Sequence, residues 1–286
     1  MVGGQKTLPR SISQGLQSLG VDFDENRFSK DTTYKTCFVV KDVDCLRWAI
    51  ELKRQGLIKN LVAGPMIVNF PHEADRIIES PLINTFILPS VWIKNLFAKL
   101  IQSDRPNLSV WALGVDTDYW RPRESVANVK IKKIIVYAKN PTSEILSGVQ
   151  ETLKNRQIEY DILVPGLFTR EEYRQALINA CGVIFLSRSE TQGLAMFEAW
   201  SCDVPTLHWN PGVLMLMNQV HEGASSCPYL NSECGLEFTD GSQFESQLQI
   251  FIERLPSFTP REFVLKNYKL SSSIERLLEF GKPLSR

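Results

Sequence analysis

Two carboxylates eight residues apart, Glu190 and Glu198, bracket the stretch Thr191-Gln192-Gly193-Leu194-Ala195-Met196-Phe197. An ionised carboxylate can accept hydrogen bonds from two neighbouring hydroxyls at once, and vicinal hydroxyls are what ribose and hexoses present. Gln192-Gly193-Leu194 reads as the first turn of a helix, whose unpaired N–H groups and positive dipole end attract a diphosphate. Gly193 lets such a group approach the backbone closely. Glutamates at this spacing are a weak signal alone, because carboxylates gather at helix N-termini for dipole reasons. What gives the pair weight is its setting. Gly182-Val183-Ile184-Phe185-Leu186-Ser187 reads as a buried strand that ends just before Glu190, and Asp203-Val204-Pro205 leads into another. Ligands of open α/β sheets collect at the carboxyl ends of strands.

The elements around this segment alternate short β-branched runs with stretches of helical period, the texture of an α/β fold with parallel sheets. In the first half, strands are predicted at 37–40, 60–63, 84–88 and 108–113. One helix is expected over 44–55, and another is capped by Ser90 with Ile93, Leu96, Phe97, Leu100 and Ile101 on one face. Gly114-Val115-Asp116-Thr117-Asp118-Tyr119-Trp120-Arg121-Pro122 is turn-rich and suits a crossing between domains. The second half restarts with strands at 134–138, 160–164, 182–187 and 204–208. Its helices are expected at 142–155, after the capping box Thr169-Arg170-Glu171-Glu172, at 193–202, and over most of the chain beyond Asp240. Two βαβ series in tandem predict two Rossmann-like lobes.

Composition narrows the function. Lys plus Arg and Asp plus Glu both total 32, so no global field draws the chain to nucleic acid or an anionic membrane. The six cysteines show no C-x-x-C pair, which argues against a zinc site or a disulfide framework. No apolar run approaches the ~20 residues of a membrane span, and no leader is evident, so a soluble, cytoplasmic chain is expected. Trp92, Lys94, Phe97 and Lys99 could rest on a membrane surface, but they fit a core helix with snorkelling lysines better. Dinucleotide, Walker and nucleophile-elbow motifs are absent. Three Asp-x-Asp triplets, at 22–24, 42–44 and 116–118, do not follow a convincing core strand, so no metal is expected.

Ser189 to Pro205 resembles the E-x7-E donor-site signature of GT-B glycosyltransferases, especially glycosyltransferase family 4. Gly114-Val115-Asp116 followed by Pro122 is similar to that family's interlobe stretch, and Met1 to Gly20 to its opening Gly-Gly loop and helix. The family carries a strand ahead of that loop, and this sequence starts too late for it, so a shortened N-terminal lobe, or one with a differently built sheet, is expected. It implies a GT-B fold of two facing Rossmann-like lobes with the donor site in the cleft. Residues 1–121 would form the acceptor-side lobe and 122–259 the nucleotide-sugar lobe, with helices in 260–286 packing back on the first.

The resemblance also implies roles. Glu190 would bind hydroxyls of the transferred sugar and Glu198 the ribose, while the backbone of Thr191, Gln192, Gly193 and Leu194 would meet sugar and diphosphate. Lys139, which otherwise reads as a solvated surface lysine, would lie on the diphosphate. His72, otherwise a structural histidine, would face the sugar. Gly3 and Gly4, otherwise a loose leader, would let acceptor or diphosphate approach. The implied activity is transfer of a sugar from a nucleoside-diphosphate sugar to a glycan, lipid or protein acceptor, retaining and metal-independent, with no cofactor beyond that co-substrate. A sugar-nucleotide epimerase and a non-catalytic nucleotide-sugar-binding module are the alternatives on the same scaffold.

Overall fold

The structure is a computed structural model that describes residues 4–29, 31–104, 106–122, 133–216 and 219–282. The chain forms two compact units, one of Gly4–Gly114 together with the chain from Leu270, the other of Val115–Lys269.

The first unit opens with helix α1 (Gly4–Ser18), followed by β1 (Tyr34–Lys41), α2 (Val43–Arg54), β2 (Ile58–Met66), a 3-10 turn at Ala74–Glu79, β3 (Thr85–Leu88), α3 (Val91–Leu100) and β4 (Asn107–Val110). The strands form one parallel sheet in the order β1-β2-β3-β4, with Phe38 level with Val62 and Phe86 level with Leu108. Helices supply the crossovers that parallel neighbours need. Leu46 and Ala49 of α2, Ile93 and Phe97 of α3, and Leu61 and Phe86 of the sheet share one buried cluster. That burial makes α3 a core helix. Asp42 caps α2, its carboxylate accepting the N–H groups of Asp44 (2.8 Å) and Cys45 (3.3 Å).

The second unit contains β5 (Lys133–Ala138), α4 (Ser143–Asn155), β6 (Tyr160–Leu163), α5 (Arg170–Ile178), β7 (Ala180–Leu186), α6 (Leu194–Ser201), β8 (Thr206–Trp209), the antiparallel pair β9 (Val213–Leu216) and β10 (Gln219–Glu222), β11 (Gly235–Phe238), α7 (Gly241–Arg254) and α8 (Pro260–Asn267). Its sheet is parallel, in the order β11-β8-β7-β5-β6. From β5 the chain moves one way to β6, then returns to build β7, β8 and β11 on the other side, so the order reverses between β5 and β7. Thr169 and Glu172 close the capping box expected at the start of α5. Ile134, Val136, Ile184, Leu186 and Leu207 pack with Leu248 and Phe251 of α7 on one face of the sheet.

The units divide at Gly114/Val115, seven residues before the expected boundary at 121/122. The reason lies in what residues 115–120 touch. Asp116 folds the turn by accepting the N–H groups of Asp118 (3.2 Å) and Tyr119 (3.0 Å), and Trp120 is buried. The Arg261 guanidinium donates to the carbonyls of Trp120 (3.2 Å), Thr117 (3.3 Å) and Ser201. The same bonds keep α8 in the second unit, so the expectation that all of 260–286 returns to the first is corrected. Only α9 (Leu270–Glu279) and the residues after it do so. There α9 packs on α1, with Ile274 filling the space where a side chain on Gly15 would lie. Trp111 Nε1 donates to the Ser273 carbonyl (2.8 Å), Thr36 Oγ1 to that of Gly281 (2.9 Å) and Asn60 Nδ2 to that of Phe280 (2.9 Å).

Candidate active site

The reversal of strand order between β5 and β7 leaves the carboxyl ends of both strands open for a ligand, the usual binding position of open α/β sheets. Lys139 follows β5 directly, and Ser187 follows β7. The two strand ends are braced: the Lys139 N–H donates to the Leu186 carbonyl (3.1 Å), and the Arg188 N–H donates to Asn140 Oδ1 (2.9 Å).

Glu190 sits just beyond this junction. Lys139 Nζ donates to both of its carboxylate oxygens at 2.8 Å, and Ser187 Oγ donates to Oε1 at 3.0 Å. The Glu190 side chain is 14% exposed against 42% for Lys139, so the acid is held from below and its partner reaches in from solvent. The Glu190 N–H donates to the Ser225 carbonyl (2.9 Å), which anchors the loop from the other side.

Gly193 is the N-cap of α6 with φ +85°, the left-handed region that favours glycine. A Cβ there would lie 2.5 Å from Met196 Cε, so the backbone selects glycine and a side chain would also have to move the Met196 terminal methyl. Gln192 is buried and Thr191 exposed, and both precede the helix N-terminus rather than forming its first turn. The helical turn starts at Leu194, where the unpaired N–H groups and the positive dipole end lie.

Glu198 stands half-buried in α6. Burial pushes its carboxyl up to about 8, an effect the Arg170 guanidinium opposes. Arg170 opens α5, and its guanidinium lies 4.1 Å from the Tyr119 ring centre and 5.2 Å from that of Trp120. One turn on, Tyr173 OH donates to the Ala195 carbonyl of α6 (2.9 Å). Burial, and secondarily the charges of Glu190 and Glu198, hold the Tyr137 phenol protonated.

The structure therefore brings Lys139, Glu190, Gly193 and Glu198 together on the second unit. His72 lies in the first unit, exposed, with its ring stacked on Phe70 at 5.8 Å. Gly4 begins α1, so it belongs to a helix rather than a loop, and Gly3 lies outside the described residues. Sequence reasoning missed Arg170, Asn140 and Ser187. Arg170 stood in view inside the capping box, but nothing in a single sequence says that α5 lies against α6. Among the described residues no three His, Cys, Asp or Glu side chains cluster as a metal would require.

No family model and no curated protein matches this sequence. Solved structures do match. The Staphylococcus aureus protein TarM superposes on 96% of the chain with a TM-score of 0.60 and 14% identity. The lipopolysaccharide outer core galactosyltransferase WaaB covers 98% with a TM-score of 0.57 and 13% identity, and here the chain spans 82% of its length. Sucrose-phosphate synthase from Thermosynechococcus elongatus covers 96% with a TM-score of 0.56 and 13% identity, and the chain spans 77% of it. Against TarM the chain spans 58% of the length. The fold is that of the GT-B glycosyltransferases, as the resemblance of the sequence implied. Among the described residues no helix is long and apolar enough to cross a membrane.

Proposed function

We propose that this chain is a glycosyltransferase that takes a hexosyl group from a nucleoside-diphosphate sugar and passes it to a hydroxyl acceptor. The observation that carries the reading is the Lys139–Glu190 pair at the strand-order reversal, beside the N-terminus of α6. On this reading Glu190 accepts hydrogen bonds from hydroxyls of the transferred sugar, and Glu198, once ionised, from the ribose. Lys139 turns from Glu190 toward the diphosphate, where it and the first N–H groups of α6 meet the charge that grows as the leaving group departs. The bond from the anomeric carbon to the diphosphate oxygen breaks, a bond from that carbon to the acceptor oxygen forms, and the acceptor proton passes to the diphosphate. Retention of configuration and operation without a metal are part of the proposal. Similarity to TarM, a structure of which holds UDP, and to a galactosyltransferase supports this choice of donor and chemistry.

The test is calorimetric binding and product analysis with UDP-glucose, UDP-N-acetylglucosamine, ADP-glucose and GDP-mannose. At least one should bind, and Glu198→Gln should weaken it by roughly tenfold or more, the loss of a charge-assisted hydrogen bond. Failure of all four to bind, or unchanged affinity in Glu198→Gln, would remove the assignment. Binding without turnover on any acceptor would favour a non-catalytic sugar-nucleotide module, and conversion of the donor alone would favour an epimerase.

A further inference from the structure

The loop that carries Glu190 is held from two sides. Lys139 and Ser187 engage its carboxylate, while its N–H donates to the Ser225 carbonyl at 2.9 Å. Ser225 belongs to the segment 223–227, which follows β10 on the way to β11. The position of its carbonyl is therefore decided by what fixes that segment. Ala224, Ser226 and Cys227 are buried. Ser226 Oγ donates to the Trp209 carbonyl at the end of β8 (2.7 Å), and the Cys227 thiol donates to Glu237 Oε2 of β11 (3.3 Å).

Asn210, the residue after β8, completes the arrangement. Its backbone N–H donates to the Phe238 carbonyl (2.8 Å), which extends the pairing of β8 with β11. Its side chain spans two further groups: Oδ1 accepts the Ser226 N–H (2.9 Å), and Nδ2 donates to Glu237 Oε2 (2.7 Å). A backbone N–H only donates and a carboxylate only accepts, so the bridge needs an acceptor and a donor on one short planar group, which a carboxamide has. The Ser225 carbonyl and the Ser226 N–H are the two ends of a single peptide unit, and in a planar peptide they point in opposite directions. That unit is thus clamped between the Glu190 N–H at one end and Asn210 Oδ1 at the other. Turning it would break both bonds.

We infer that Asn210 is a positioning residue of the proposed donor site: anchored on Glu237, it sets the plane of the Ser225–Ser226 peptide and so the place where the Glu190 loop is held. It acts through that peptide and need not touch the donor. Every link in the path is a hydrogen bond of 2.9 Å or less, or the peptide itself. Hydrogen bonds in series polarise one another, and the bond to Glu237 is charge-assisted, so the chain is stiffer than a single contact. The inference rests on the reading of Glu190 as the residue that meets the transferred sugar, but the hold on its N–H can be measured with no donor present.

The experiment is amide hydrogen exchange of the whole chain, read by nitrogen-15 NMR. Asn210→Ala removes both side-chain bonds, and Asn210→Asp sets a second carboxylate against Glu237. Each should speed exchange at Glu190 roughly tenfold or more, the scale of a lost hydrogen bond to a charged group, and leave Ile184 of β7 and Leu207 of β8 as slow as before. Asn210→Asp combined with Glu237→Gln exchanges donor and acceptor across the second bond and should restore wild-type exchange at Glu190, which a residue that merely filled space would not allow. A second arm measures binding of UDP-glucose, UDP-N-acetylglucosamine, ADP-glucose and GDP-mannose beside UDP, ADP and GDP. In Asn210→Ala the affinity for the sugar nucleotide should fall while that for the matching nucleoside diphosphate holds, because Glu190 meets only the sugar. Unmoved exchange at Glu190 in both single variants would overturn the inference, as would acceleration spread evenly over β7 and β8, or acceleration that the double variant fails to reverse. Local, reversible acceleration with equal loss of affinity for both kinds of ligand would keep Asn210 as the support of the Glu190 loop and instead remove Glu190 from the sugar.

Discussion

Lys139 and Glu190, 51 residues apart in sequence, form a two-pronged ion pair in which one ammonium reaches both carboxylate oxygens at 2.8 Å. The pair joins the end of β5 to the loop after β7, so each partner holds the other at the proposed donor position. Lys139→Met should lower kcat/KM roughly 100-fold, the scale set by losing one preorganised donor to a developing negative charge. Thermal stability should change little, because the lysine is partly exposed and such ion pairs contribute little. Steady-state kinetics beside a melting curve separate the two effects. Loss of stability with intact kinetics would make the pair a structural brace.

Gly193→Ala brings two separable penalties. The left-handed backbone costs about 1–2 kcal/mol for a residue with a Cβ, and the new methyl meets Met196 at 2.5 Å. Gly193→Ala should therefore destabilise the protein, and adding Met196→Ala should restore only the steric part if its own cavity penalty is measured separately. A double-mutant cycle in urea reads the difference. Full additivity would mean that the Met196 contact carries no penalty.

One fully buried group and one half-buried group tilt stability against pH in opposite senses. His208 is fully buried, its Nε2 is 2.7 Å from Thr206 Oγ1, its ring is stacked on Phe185, and burial pushes it down from 6.5 to about 3. Between those values the unfolded chain binds a proton that the native protein does not, so stability falls as pH drops through this range. Glu198 is raised from 4.5 to about 8, so between those values the native protein keeps a proton that the unfolded chain has released, and stability falls as pH rises. Each slope is at most about 1.4 kcal/mol per pH unit. Urea midpoints from pH 4 to 9 should level between roughly 4.5 and 6.5 as far as these two groups govern them, the overlap of the two ranges. His208→Phe should flatten the acid limb and Glu198→Gln the alkaline one. An acid limb unchanged in His208→Phe would assign that limb to other groups.

Arg261→Met should loosen α8 without disturbing the sheet of the second unit. It removes a donor from the carbonyls of Thr117, Ser201 and Trp120, the last of which still accepts from Ser201 Oγ, and a part-buried acceptor left without a partner costs on the order of 1 kcal/mol. Hydrogen exchange should quicken over Pro260–Asn267 and at Val115, whose N–H donates to the Tyr268 carbonyl at 2.9 Å. Faster exchange spread evenly over β5 to β8 would contradict this local role.

Much of the second unit could be read from its residues because its strands are continuous β-branched runs and its helices carry explicit caps, Thr142 and Thr169 among them. The strand–glycine–helix order around Glu190 was legible for the same reason: a buried strand, a glycine and an apolar helix follow one another between Ala180 and Ser201. Other features were not. β9 and β10 expose Val213, Met215 and Val220, so no buried face imposes a pattern that a sequence could reveal. The turn at Ala74, Asp75 and Arg76 holds three consecutive residues at φ +51°, +56° and +57° without a glycine to announce it. Arg76 fixes it through Glu79 (2.7 Å) and the Leu100 carbonyl (2.7 Å), partners that a local reading does not pair. The domain boundary slipped because the polar residues after Gly114 look like a linker while Trp120, within them, is buried.

The return of α9 to the first unit has a consequence for the order in which the protein is made. The Ser273, Phe280 and Gly281 carbonyls that complete the bonds of Trp111, Asn60 and Thr36 are synthesised after the whole of the second unit. On the ribosome, the unit encoded later has all of its residues first, and the unit encoded earlier waits with the α9-facing side of α1 uncovered. A released chain ending before residue 270 would therefore have all the residues of the second unit but an open first one, and the uncovered α9-facing side of α1 is the surface a chaperone would meet.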